Sequence, residues 1–284
     1  MIRTLPTSKT YNRLFSLYVI LYFLFLFAPL LITCILAFND SQFPSLPWKG
    51  FTLEWFTGNL PERVGIFHDQ VNLDSIWVSF RVAFFVTLLS MAVGICGAFL
   101  FEQEDFRFKQ LLYFLMLAPL VIPGVILGIS ILLLSNTLGT YFETSWGLDI
   151  ELFRPGFWLV VLGQFSFIAT LVTLVVSARL RKFDRTLEEA AMNLGANRFE
   201  VIWYITLKFL RPAIIGAGAV AFLMSFENFN TTLFLVGYQA TLPINLYLQV
   251  RDGSTPVINA ISFLLIVGTS LMALTNLYFS RKAE

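Results

Sequence analysis

Apolar residues fall into six long runs separated by short polar stretches, and that pattern sets the architecture. The runs 14–38, 110–134, 156–178 and 256–280 carry no charge, while 76–101 carries only Arg81 and 212–236 only Glu227. Each is long enough for a helix to cross a hydrocarbon layer about 30 Å thick, which takes around 20 residues. The runs are continuous and lack a two-residue alternation, so they read as helices and not as the strands of a barrel. Lipid offers no partner for peptide groups, and a helix satisfies all of its own. The predicted fold is an all-α membrane protein with six transmembrane helices in one domain over 1–284.

Composition supports this. Apolar types make up 57 % of the 284 residues and charged types 13 %, about half of the ~25 % usual for soluble proteins. The formal charge of +1 gives no case for nucleic acid as a partner. Cys34 and Cys96 both sit inside apolar runs, so they form neither a disulfide framework nor a zinc cluster.

Lysine and arginine give the orientation. With the N-terminus inside, the cytoplasmic side holds Arg3, Lys9, Arg13, Arg107, Lys109, Arg179, Arg181, Lys182, Arg185, Arg198, Lys208, Arg211, Arg281 and Lys282. The outside holds Lys49, Arg63, Arg154 and Arg251. Such an excess is the positive-inside pattern and places both termini in the cytoplasm. The first run follows Arg3, Lys9 and Arg13, as a signal peptide's apolar core would. It is too long for one, and no small-x-small site closes it, so it is expected to stay as a span.

The outer loop 39–75 is rich in aromatics (Phe43, Trp48, Phe51, Trp55, Phe56) and reads as an interfacial belt. His68 in that loop has no second ligand near it in sequence and reads as a surface histidine. On the inner side only 179–211 is long. Within it Thr186 and Glu189 have capping-box spacing, Gly195 suits the left-handed position that ends a helix, and Asn197 with Glu200 repeats the start signal. The reading is a short helix, a glycine turn and a second helix that re-enters the membrane at Pro212. Ala190 and Ala191 give the first helix a smooth patch, suited to the groove of a partner.

Glu189-Ala190-Ala191, three residues, Gly195, nine residues, then Ile205-x-Leu207 resembles the EAA loop of ABC-importer permeases of the MetI-like type. Lys208 stands where the pattern has a proline, and Pro212 matches a second one downstream. The resemblance implies that 183–207 is the coupling loop, with Glu188, Glu189, Ala190, Ala191, Gly195 and Ala196 facing an ATPase subunit. It implies further partners: a dimer of ATP-binding subunits that hold ATP and magnesium, a second and different permease chain, and an extracytoplasmic solute-binding protein. Such a permease sits in the bacterial inner membrane and is itself no enzyme. No P-loop of the form G-x-x-x-x-G-K-[ST] occurs in the chain, as that division of labour requires. Looser similarity to the spermidine/putrescine permeases lies at Phe38-Asn39-Asp40-Ser41, Gly50-Phe51-Thr52 with Trp55, Arg179-Leu180 with Phe183-Asp184, Leu242-Pro243, and Pro256 with Asn259-Ala260. It implies a polyamine as solute; an amino-acid derivative, an opine or a sugar alcohol is the alternative.

A charge at mid-membrane is costly and marks a pathway or a paired site. Fifteen residues beyond Pro212, Glu227 lies roughly 4–5 Å past the midplane at 1.5 Å per residue. On a helix its face would also carry Asn230 and Thr231, with Asn228 and Thr232 beside them and Phe226, Phe229 and Phe234 flanking. Three readings are open: Glu227 pairs with Arg81, it is protonated and bonded to a neighbouring helix, or it lines the solute path with Asn228, Asn230, Thr231 and Phe226. Arg81 is near the outer end of its run and can snorkel to the headgroups. Pro119, Pro123, Gly124 and Gly128 are expected to kink the third run. Gly94/Ala98 and Ala213/Ala217/Ala221 have small-xxx-small spacing for close helix packing. A stand-alone transporter coupled to an ion gradient, with Glu227 as proton carrier, is the rival reading. It leaves the EAA-like loop without a purpose.

Overall fold

The structure, a computed structural model, describes residues 9–44, 46–61, 63–253 and 255–282. Arg3 lies outside them, as do the side chains of Arg281 and Lys282. The chain groups into two compact units, one drawn from residues up to Leu73 and from Leu248 onward, the other Asp74–Tyr247.

In the first unit, α1 (Lys9–Leu36) packs on α12 (Val257–Lys282). After α1 the chain forms a short turn-rich module with α2 (Glu54–Thr57) and an antiparallel hairpin of β1 (Asn59–Leu60) and β2 (Arg63–Val64). Only part of the loop's aromatic set is a surface belt. Trp55 and Phe56 are buried, and the Trp55 indole donates to the Asn39 carbonyl at 2.8 Å. Phe56 meets Phe38 in a tilted contact and Phe263 edge-on. Arg63 bridges Asp40 and Glu54, which ties the hairpin to the end of α1. Phe43, Trp48 and Phe51 stay exposed.

The second unit takes in most of α3 (Gln70–Gln103), then α4 (Lys109–Val121), α5 (Gly124–Trp146), α6 (Phe157–Leu180), α7 (Thr186–Asn193), α8 (Arg198–Val201), α9 (Leu207–Phe226), α10 (Thr232–Leu235) and the start of α11 (Leu242–Gly253). A π-helical turn, Ile202–Thr206, joins α8 to α9 without a break. Helix α6 is the centre. Its Val160, Val161, Ile168, Val172 and Val176 are fully buried against Val82, Val86 and Ala98 of α3, Leu210, Ala217 and Ala221 of α9, and Leu235 of α10. Lipid tails are as apolar as leucine, so helices associate through close van der Waals fit, and small residues allow it. Gly94 accordingly lies against Val172, and Ala217 and Ala221 sit in the α6 seam.

Five described helices are long and apolar enough to span a membrane: α1, α3, α5, α6 and the continuous Arg198–Phe226. Helix α4 and the stretch Val257–Leu271 are shorter apolar helices. Two expected spans differ in form. The run 110–134 is not one kinked helix but two helices parted at Ile122–Pro123. A residue before proline is pushed out of the α region, and Ile122 is extended at φ −72°, ψ 129°. The run 212–236 ends as a helix at Phe226 and resumes only at Thr232.

Candidate functional site

The interruption of that fifth run is the most unusual feature of the second unit. Irregular backbone at membrane depth is tolerated where protein buries it or where it lines a cavity, and transporters build solute sites from such broken helices. The sequence FENFNTT explains the break: Asn and Thr side chains compete for backbone groups that a helix would use. Asn228 Oδ1 accepts from the Thr232 N–H at 3.3 Å and from its hydroxyl at 2.9 Å, which starts α10. Glu227 is the residue that ends α9, at φ −87°, ψ −1°.

The side chains predicted to share one helical face are therefore not on a helix. The exposed groups of the break are Glu227 and Asn230; Thr231 and Thr232 are buried, and Phe226, Asn228 and Phe229 are half-buried. Phe226 stacks on Phe222 and Phe229 tilts against Tyr247, so aromatic faces stand on both sides of the carboxylate in sequence. Arg81 stacks instead on Phe157, with 5.5 Å from its guanidinium carbon to the ring centroid. Among the described residues no ion pair joins it to Glu227.

The wall behind the break is built of small residues. A Cβ on Gly128 of α5 would meet the Thr231 carbonyl oxygen at 2.7 Å, and one on Gly124 would meet Asn230 and Thr231 at 3.1 Å. Gly128→Ala is therefore expected to push residue 231 outward at roughly 1–3 kcal/mol, the usual range for overpacking. A lower melting temperature of the purified protein together with reduced uptake checks this. A groove of about 770 Å³ between α3, α4 and α6 is lined by apolar groups such as Leu100, Leu115 and Met116 and includes none of these residues.

The sequence reading missed Gln164. It is fully buried in α6 and bonds both Ser225, at the end of α9, and Thr232, at the start of α10. A search for charges passes over it; a glutamine, the largest polar side chain in an uncharged run, is the available signal.

At the other end of the unit, residues 181–206 form the expected pair of helices, with one change at the start. Thr186 is the first residue of α7 and does not cap it; the Asp184 carboxylate accepts the Thr186 N–H at 3.0 Å. That bond, with a smaller one from the Thr186 hydroxyl, holds the Asp184 carboxyl below the ordinary aspartate value. A lowered pKa stabilises the folded form above the unfolded value and ceases to do so as pH falls through the lowered one. Faster hydrogen exchange at the start of α7 in acid is the expected result, and Asp184→Asn should remove the pH dependence.

Helix α7 ends in a Schellman motif. The Gly195 N–H donates to Met192 O at 3.0 Å, the Ala196 N–H to Ala191 O at 3.1 Å, and Gly195 has φ +95°. Asn197 and Glu200 then cap α8 reciprocally, each side chain accepting from the other's N–H at 2.9 and 2.8 Å. Glu188 turns inward and accepts from the Thr206 hydroxyl, bracing α7 on the π turn. Glu189 and Ala190 face out; Ala191 and Ala196 are half-buried. Around them Leu194, Phe199 and Trp203 are exposed, Leu194 at 90 %. The Arg181 guanidinium forks onto both oxygens of Glu102 at 2.9 Å, Arg185 donates to the Glu102 carbonyl at 2.6 Å, and Arg198 lies 3.5 Å from Glu104. These contacts fix the pair of helices to the end of α3.

The second unit thus carries a broken span and, at its end, a braced helix pair with exposed apolar side chains. Residues 90–283 match the family described as the binding-protein-dependent transport system inner membrane component, and the chain belongs to that family. Its relatives include the putrescine transport system permease protein PotI of Escherichia coli K12, 32 % identical over 99 % of this chain and 94 % of that one. The spermidine/putrescine transport system permease protein PotC of Haemophilus influenzae is 27 % identical over 91 % and 93 %. Among solved structures, a bacterial ABC transporter involved in alginate import matches at TM-score 0.62 and 13 % identity over 99 % of both chains. The MetNI methionine ABC transporter matches at TM-score 0.53 and 15 % identity over 75 % and 94 %. These two likenesses concern the fold. The protein is thus a multi-pass membrane component of an importer that works with ATPase and solute-binding subunits.

Proposed function

We propose that this chain forms half of the translocation path of an ATP-driven importer for a polyamine, the other half being a second, different permease chain. The observation that carries the reading is the end of α9 at Glu227. The C-terminus of a helix carries the negative end of its dipole, and here a carboxylate stands on that end, exposed on the unit. A flexible polycation is the solute such a site attracts, and the Phe226 and Phe229 rings add cation–π attraction. Long similarity to PotI and PotC supports the same solute class.

In this reading the basic end, with α7 and α8, is cytoplasmic, as the positive-inside pattern favours. The outward groups Glu189 and Ala190, with Ala191 and Ala196 behind them, dock on an ATPase dimer that binds ATP and magnesium, while Glu188 acts from within by bracing α7. The module of 38–68, with Phe43, Trp48 and Phe51 exposed, receives the solute-binding protein. The chain itself carries out no covalent chemistry.

The test is uptake of labelled putrescine and spermidine into proteoliposomes holding the complete importer. ATP-dependent uptake, with the ATPase and a second permease co-purifying, is expected. Uptake by this chain alone, driven by an ion gradient and indifferent to ATP depletion, overturns the proposal.

A further inference from the structure

We propose that Gln164 is a positioning residue for the solute path: its one amide holds together the two helix ends that flank residues 227–231. The inference rests on the reading that Glu227 lies on that path.

The geometry is specific. Gln164 stands eighth in α6, about 10 Å in from its start by helical rise. It is fully buried, as are Ser225 and Thr232. Ser225 Oγ donates to Gln164 Oε1, Gln164 Nε2 donates to Thr232 Oγ1 at 2.8 Å, and Thr232 Oγ1 donates to Asn228 Oδ1 at 2.9 Å. Each hydroxyl has one proton to give, so the relay runs in a single direction. Asn228 Oδ1 has no proton, so Thr232 must donate to it and must then receive from the NH₂ side of Gln164. The carbonyl side is left for Ser225. A hydrocarbon side chain of the same length could hold neither helix end, and two hydroxyls would be buried without this partner.

The five-residue gap is therefore pinned at both ends by α6, and Glu227 and Asn230 are presented outward from fixed anchors. Gln164 itself does not touch the exposed face of the break. Its effect on transport passes through the placement of 227–231.

The experiment compares Gln164→Leu and Gln164→Glu in the complete importer in proteoliposomes, with labelled putrescine as probe and co-purification of the ATPase as the control for assembly. A protonated glutamic acid reproduces the relay, with its hydroxyl donating to Thr232 and its carbonyl accepting from Ser225; the carboxylate cannot donate. Gln164→Leu is expected to lower uptake at least tenfold at every pH. Gln164→Glu is expected to approach wild-type uptake at acid pH and to lose it as pH rises, a limb that the wild type does not show. Wild-type uptake by Gln164→Leu, or a Gln164→Glu profile parallel to the wild type, overturns the proposal. Glu227→Gln, measured alongside, tests the path reading by itself. Normal uptake in that variant, with the pH limb still present in Gln164→Glu, removes Glu227 from the path and leaves Gln164 as the anchor of the break.

Discussion

Glu227→Gln is expected to cut uptake of a cationic solute roughly ten- to hundredfold while the importer still assembles. The amide keeps the size and one carbonyl of the side chain but removes the charge. Hydrogen bonds to charged groups contribute about 1.5–3 kcal/mol, and each 1.4 kcal/mol is about a factor of ten. Assembly should survive because Glu227 is exposed on the unit and makes no ion pair among the described residues. The break does not depend on its charge, since Asn228 and Gln164 hold the flanking helices. Transport assays with putrescine and spermidine read the loss directly. Wild-type rates would show that the solute passes elsewhere.

Gly195→Val is expected to leave ATP hydrolysis running while uptake falls. No atom lies within 4 Å of the position a Cβ would take, so space is not the obstacle. Backbone conformation is: φ of +95° is one that β-branched residues avoid, and holding one there costs roughly 1–3 kcal/mol. The turn would relax, the Schellman bonds to Met192 and Ala191 would be lost, and α7 would lose its fixed angle to α8. Gly195→Ala, strained less because its side chain is smaller, should fall between valine and wild type. The ratio of solute imported to ATP hydrolysed is the measurement, and an unchanged ratio in the valine variant would remove the turn from the coupling path.

Much of this was legible in the chain. Continuous apolar runs announce helices in lipid because the signal depends on composition alone. Gly195 and the Asn197–Glu200 pair were readable because local geometry decides them. Asp184 was not, since two oxygen-bearing residues stood near the start of α7 and only the fold selects which one faces the free N–H. The break at 227–231 was hidden for a different reason. Asn228, Asn230, Thr231 and Thr232 lie inside a window whose mean is still apolar, and a helical-face argument assumes the helix that those side chains undo. Pro123 reads as a kink, yet together with Gly124 it separates two helices, with Ile122 turned to the extended conformation that proline favours before it. Gln164 is passed over because it bears no charge, although a buried amide must still find partners for its polar atoms.

The helix from Arg198 to Phe226 runs 29 residues through its π turn without a gap. At 1.5 Å per residue it is about 43 Å long, so a swing of about 5° at one tip sweeps the other through about 4 Å. One tip bears Phe199 and Trp203; the other stops at Glu227. In the proposed reading this one continuous helix joins the face offered to the nucleotide engine with the carboxylate offered to the cargo, and its stroke is about the width of a methylene chain.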